Sequence, residues 1–261
     1  MKRLTTLLVV CLAWALLPQT SLAQDDEQSP PTVMISVAQC DRTMIDDLID
    51  RDRERTLPIA QELVDEGMIW SYGVLTHWWG DEWNWVNVML AADEAAVISA
   101  NTELGRRYGE LYPDDNMSIE VCPRHRDGFY QGIVTTQGGD EDDEDNGDGN
   151  AIGVSYYECD FARIGDIVEE EREDLAVYQG VVDDGHLRFR ASAVHTWADE
   201  WNVLVFASAD DIPALLAGLQ EAGSRFDDID PDGSSVLNEA CTAHKDNIYA
   251  QVYWTTDPTM D

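Results

Sequence analysis

Two stretches of this chain, about 118 residues apart, carry the same residues in the same order. His77-Trp78-Trp79-Gly80-Asp81-Glu82-Trp83-Asn84 answers to His195-Thr196-Trp197-Ala198-Asp199-Glu200-Trp201-Asn202, and Cys40-Asp41 answers to Cys159-Asp160. Cys122, His125, Asp127 and Tyr130 return as Cys241, His244, Asp246 and Tyr249. Self-similarity at a fixed period means that one structural unit is built twice, so the fold is two copies of a single small domain.

Each copy changes periodicity in the same order. Thr32 to Gln39 and Ile152 to Glu158 are short, β-rich runs that predict a first strand. Asp41 and Asp160 follow as N-caps. Helical spacing comes next, with Met44, Ile45, Leu48 and Ile49 on one face and Ile164, Ile167 and Val168 matching them. Pro58 should kink or restart the first of these helices, and Gly67 and Gly185 should end them. A hairpin is predicted from residues 69–79 to 83–91 and from 187–197 to 201–207. Asp93 and Asp211 then cap a second helix, and a last strand begins near His125 and His244.

The ends and the junction read differently. Lys2 and Arg3, an apolar run from Leu7 to Leu17, Pro18 and Ser21-Leu22-Ala23 have the form of a secretory signal peptide over residues 1–23. That run is short of the roughly 20 residues a membrane span needs, and no later segment reaches it. Residues 24–136 and 151–261 are the two repeats. Between them, residues 137–150 hold no apolar side chain and read as a self-repelling acidic linker. Without the signal, four cysteines remain, and an exported chain favours disulfides. The repeat selects Cys40 with Cys122 and Cys159 with Cys241, each closing a loop of roughly 80 residues that contributes about 4 kcal/mol. Thiolate metal binding is the weaker reading, because no CxxC pair occurs.

Fifty-two acidic residues against 16 Lys plus Arg give a net charge of -36. Such a surface disfavours nucleic acid and anionic membranes as partners. It also fits life in concentrated salt, where screening suppresses self-repulsion.

The order βαββαβ in each copy is that of a ferredoxin-like domain. Duplicated in an exported chain, it resembles a fused version of the dimeric α+β-barrel superfamily: an α+β fold in which two tandem βαββαβ units make a pseudo-dimeric barrel around a cavity within one, monomeric, chain. Cofactor-free monooxygenases, haem enzymes and plain binding proteins share that fold, so the resemblance implies architecture rather than activity.

In that topology the repeated residues gather at strand ends on one rim per copy. His77, Trp79, Asp81, Glu82, Trp83 and Asn84, with His125, form one polar, indole-capped set; His195, Trp197, Asp199, Glu200, Trp201, Asn202 and His244 form the other. An imidazole oriented by a carboxylate can act as general base, and two imidazoles with a carboxylate can hold a divalent transition metal. Turn chemistry and aromatic cross-strand pairs explain Asp81 and Trp83 equally well without a ligand. Were the opposite strand face to line the cavity, Arg188 and Arg190 would offer an anion clamp beside Trp70 and Tyr72; the competing reading pairs them with the abundant carboxylates. Asp228, Asp230, Asp232 and Glu239 have the spacing of a calcium loop, with an acidic turn as the competing reading. The expected function is binding of a small ligand or a metal at the rims or in the inter-sheet cavity. The rivals are a cofactor-independent or metal-assisted enzyme using His77 or His195, and a protein-interaction module. No GxSxG, HExxH or GxGxxG pattern occurs.

Overall fold

The structure, a computed structural model, describes residues 30–80, 82–136, 150–197, 200–229, 233 and 235–255. The signal-like segment, residues 137–149 of the acidic linker, Asp81, Asp199, Asp230 and Asp232 lie outside the described residues, as does the side chain of Trp197.

The first repeat contains β1 (Thr32–Gln39), α1 (Ile45–Asp65), β2 (Ser71–Trp79), β3 (Trp85–Ala91), α2 (Glu94–Leu111), a short α3 (Met117–Val121) and β4 (Arg124–Thr135). The second repeats it as β5 (Ala151–Cys159), α4 (Ile164–Asp183), β6 (Phe189–Trp197), β7 (Val203–Ala209), α5 (Ile212–Ile229), α6 (Val236–Ala240) and β8 (Cys241–Trp254). The caps act as their residue types require. Asp93 and Asp211 each accept the backbone N–H three residues on, while Asp41 and Asp160 cap single 3-10 turns before α1 and α4. Gly67 and Gly185, at φ 71° and 75°, close α1 and α4 in the left-handed conformation that a Cβ would penalise. Pro58 does not break α1, which is helical from Ile45 to Asp65. Buried Ile59, Ala60, Leu63 and Val64 pack the turns around and after it onto the sheet, and this outweighs the lost hydrogen bond. The short helices α3 and α6 carry no sequence period of their own and were not expected.

All eight strands form one closed barrel in the order β1-β3-β2-β8-β5-β7-β6-β4. Each repeat contributes four neighbours in the order 4-1-3-2, and the seams β2–β8 and β4–β6 join the repeats by antiparallel hydrogen bonding. Closure removes every free strand edge. Both seams carry register shifts. Because every neighbouring pair is antiparallel, the ends of β1, β2, β5 and β6 and the starts of β3, β4, β7 and β8 share one end of the barrel. The two rims expected one per repeat are therefore a single rim.

The strands are buried on both faces, as barrel strands sheathed in helices must be. Val33, Ile35 and Val37 of β1 meet Leu75, Val88, Tyr130, Ile152, Val154 and Leu204 inside. Met34 and Ala38 pack outward with Tyr72, Val74 and Met89 under α1 and α2. In the second repeat Val181, Val182, Ala207 and Leu215 form the corresponding outer layer. Both expected disulfides are present, Cys40–Cys122 and Cys159–Cys241. Among the described residues no helix is long and apolar enough to cross a membrane.

Candidate functional site

At the shared rim the repeated residues divide into separate jobs. Asn84 and Asn202 are buried and structural. Each amide oxygen accepts the backbone N–H of Cys40 or Cys159 at 2.7 and 2.8 Å, and each Nδ2 donates to the carbonyl of the same cysteine. The oxygen and the Nδ2 of each amide thus both hold the disulfide-bearing strand end, a structural task for Asn84 and Asn202. Trp83 and Trp201 are partly buried against the interior cluster. Arg124 and Arg126 lie over Trp83, and Lys245 over Trp201 and Tyr156, at 4.9 to 5.5 Å. Trp79 is exposed, as is Glu82; Glu200 reaches Arg126 at 4.0 Å.

The four histidines do not converge. His77 packs edge-on to Tyr249 across the β2–β8 seam and lines a shallow groove with Arg42, Asp46 and Trp78. His195 lies between Tyr130 and Phe161, and its buried Nε2 has no hydrogen-bond partner. His125 and His244 sit on β4 and β8 opposite Ala38 and Tyr157, the former an outward-facing core position. His125 on β4 is separated from His77 on β2 by the two strands β1 and β3 within its repeat. Among the described residues no group of three His, Cys, Asp or Glu side chains is placed to hold a metal ion. Asp228 lies in the last turn of α5 and Glu239 in α6, where it faces Arg163 at 3.9 Å; Asp230 and Asp232 are not described.

Arg188 and Arg190 lie on the helix side of the sheet and pair with carboxylates, the alternative to a cavity clamp. Arg188 pairs with Asp210 at the surface. Arg190 is 1% exposed beneath α4, donates both Nη groups to Glu171, and lies 4.0 Å from the ring centre of Tyr178. Strand alternation groups Tyr72, Val74 and Arg190 on one face without giving its direction, and that face packs on helices. The same network perturbs Asp174. Burial, then the charges of Glu170 and Glu171, push its carboxyl up to about 6. A raised carboxylate favours folding only while protonated, so its contribution is complete below pH 3.8 and lost as pH rises through about 6. Asp174→Asn should therefore melt higher than the native chain at pH 8, by about 1 kcal/mol of stability after solvent screening, and equally at pH 4. Thermal melts at the two pH values check this.

At the end of the barrel opposite the rim, the interior opens into a cavity of about 490 Å3. Its wall is Val33, Leu75, Val88, Leu90, Ile152, Ala193 and Phe206, with Pro30, Pro31, Phe189 and Trp254 nearer the mouth. Among the described residues of that wall, Thr135 and Ser192 carry hydroxyls and Trp254 an indole N–H.

No protein-family model matches the chain, and no curated protein does. Solved structures do match it. A monooxygenase candidate from Fusobacterium nucleatum superposes with a TM-score of 0.61 at 7% identity, over 87% of this chain and 95% of that one. One from Lactobacillus acidophilus gives 0.59 at 8%, over 87% and 97%. Chlorite dismutase from Candidatus Nitrospira defluvii gives 0.51 at 8%, over 85% and 92%. The chain has the dimeric α+β-barrel fold.

Within this α+β barrel the cavity exists because the two seams differ. On the first, Trp254 pairs with Gly73, and a methyl group on Gly73 would fall 2.0 Å from the indole Cε3. Glycine thus lets the ring lie on the strand and fill the interior. On the second, the matching pair is Thr135 with Ala191, too small to fill the same space. The described residues of that wall do not fit haem, a group the resemblance leaves open. Among the described residues the wall holds no His, Cys, Met or Tyr to ligate iron and no Arg or Lys to meet a propionate.

Proposed function

We propose that this chain is an exported binding protein that takes a small, uncharged, largely apolar organic molecule into the lower barrel cavity. The observation that carries the reading is the cavity itself: about 490 Å3, walled by aliphatic and aromatic side chains, within the size range of small-molecule sites. The two disulfides support export, being stable in oxidising compartments. The likeness to monooxygenase candidates, at 7–8% identity, speaks to fold alone. The described residues of the cavity wall are almost all apolar, and their chemistry supports binding of an apolar molecule.

N-phenyl-1-naphthylamine, a neutral probe that brightens in apolar surroundings, should bind the native chain saturably at one site. Thr135→Trp combined with Ala191→Gly copies the Trp254–Gly73 pair onto the second seam and fills the cavity. That variant should lose the signal while keeping its native circular dichroism. A native chain that gives no enhancement, or a filled variant that binds as before, refutes the reading.

A further inference from the structure

A second, smaller cavity of about 210 Å3 lies outside the barrel, between the β1–β3 face and helices α1 and α3 of the first repeat. Its chemistry is unlike that of the barrel interior. Arg51, Asp52, Trp85, Asn87 and Ser118 line it, with His125 at its edge.

Arg51 is 9% exposed, a costly place for a charge, and is held rigidly there. Its Nη1 donates to the Tyr108 hydroxyl and its Nη2 to Ser118 Oγ. The tyrosine hydroxyl in turn donates to Asp115, which Arg55 also reaches. The guanidinium is thus fixed by two neutral oxygens, not by a carboxylate fork, and its Nε is buried with no hydrogen-bond partner. The nearest carboxylate, Asp52, stands 3.7 Å away and already accepts from Thr56 and Tyr253. Burial pushes the Asp52 carboxyl up, which weakens its hold as a counter-charge. Arg190, by contrast, is closed bidentately by Glu171.

The second repeat shows what the same space becomes without these groups. Position for position, Tyr157 stands for Ala38, Val203 for Trp85, Val205 for Asn87 and Glu170 for Arg51. Tyr157 stacks on His244 at 5.6 Å. Glu170 accepts the N–H groups of Val236 and Leu237 and so caps α6, where Arg51 instead binds α3. One ancestral position therefore braces its short helix in both copies. In the first copy alone that brace is a cation beside an open, indole-walled space.

We propose that this space is a binding site for a small planar carboxylate, its anion met by Arg51 and its ring by Trp85. The size agrees: a cavity of about 150 Å3 holds benzene, so this one admits a single ring bearing a carboxylate. The net charge of -36 does not forbid an anion, since repulsion between solvent-exposed charges is screened beyond about 8 Å at physiological salt. The site is independent of the barrel cavity and does not require that cavity to be occupied.

Benzoate is the probe, titrated calorimetrically into the full chain beside its neutral analogue benzamide. Benzoate should bind one site, and benzamide about tenfold or more weakly, as the loss of a charge-assisted contact implies. Ala38→Tyr, which installs the residue of the second repeat and removes no polar partner, should abolish benzoate binding and leave N-phenyl-1-naphthylamine binding intact. Absence of benzoate binding by the native chain, benzamide binding as tightly, or a folded Ala38→Tyr chain that binds benzoate normally would each overturn the proposal. If the tyrosine variant does not fold, the benzoate–benzamide comparison on the native chain decides. A native chain that ignores the naphthylamine but binds benzoate would fail only the barrel reading.

Discussion

Glu171→Gln should destabilise the protein by about 3–5 kcal/mol, although it alters one atom of one side chain. Arg190 is 1% exposed, and Glu171 is buried with it beneath α4. Removing the carboxylate charge leaves a guanidinium in a low-dielectric layer without its hydrogen-bonded counter-ion, the half-buried Asp174 being the remaining acid in its field, and breaking a buried pair from one side carries that penalty. The Tyr178 ring 4.0 Å away offsets only part of it. Replacing both members, Arg190→Met with Glu171→Leu, should cost far less, because desolvating the pair already consumes much of its Coulomb energy. The first repeat supports this expectation. There Tyr72 occupies the place of Arg190 and Asp52 that of Glu171, and the acid is satisfied by Tyr253 and Thr56, with Arg51 at 3.7 Å. Urea unfolding of the two variants tests the argument. A single substitution costing under about 1 kcal/mol, or a double one costing as much as the single, would show that the pair is not a buried, mutually dependent ion pair.

The residues involved show where reading the sequence succeeds and where it stops. The run from Thr32 to Gln39 was legible as a strand because turn residues and a capping aspartate bound a β-rich stretch, and the strand found has those limits. Barrel closure followed from duplication, since each copy leaves two strand edges that the other can cover. Direction was not legible. In a barrel sheathed by helices both strand faces are apolar, so alternation sorts residues into two sets without saying which is inside. Whether Arg190 and Tyr72 face the cavity or the helices is therefore open in the sequence, and in the structure they face helices. Arg51 and Asp52 sit within Ile-Asp-Asp-Leu-Ile-Asp-Arg-Asp-Arg-Glu-Arg, where a dense run of charges reads as a solvated helix face. The signal that distinguishes Arg51 lies between the repeats rather than within either: a charge reversal to Glu170, paired with Ala38 against Tyr157. The repeated rim residues leave function open for a different reason. Duplication copies packing residues as faithfully as ligands, and Asn84 and Asn202 are repeated because both copies must hold a cystine.

That cystine is the second place where a large effect is expected. Cys40→Ser with Cys122→Ser removes a link that spans 82 residues and encloses most of the first repeat. On the chain-entropy model the opened chain gains conformational freedom worth about 4 kcal/mol, against the 5–15 kcal/mol of a whole domain. The folded state should change little, because Asn84 still grips the Cys40 backbone from both sides and Asp41 N–H still donates to the Val121 carbonyl. The loss should therefore appear in the urea midpoint and leave N-phenyl-1-naphthylamine affinity unaltered under native conditions. The matching change at Cys159 and Cys241, also 82 residues apart, should cost about the same. Because β2 pairs with β8 and β4 with β6, neither repeat can open without stripping two strand edges from the other. Each single-bridge variant should accordingly unfold in one transition, seen alike by tryptophan fluorescence and far-ultraviolet circular dichroism. Two separated transitions would mean that the repeats hold their structure independently and that the barrel seams contribute little to it.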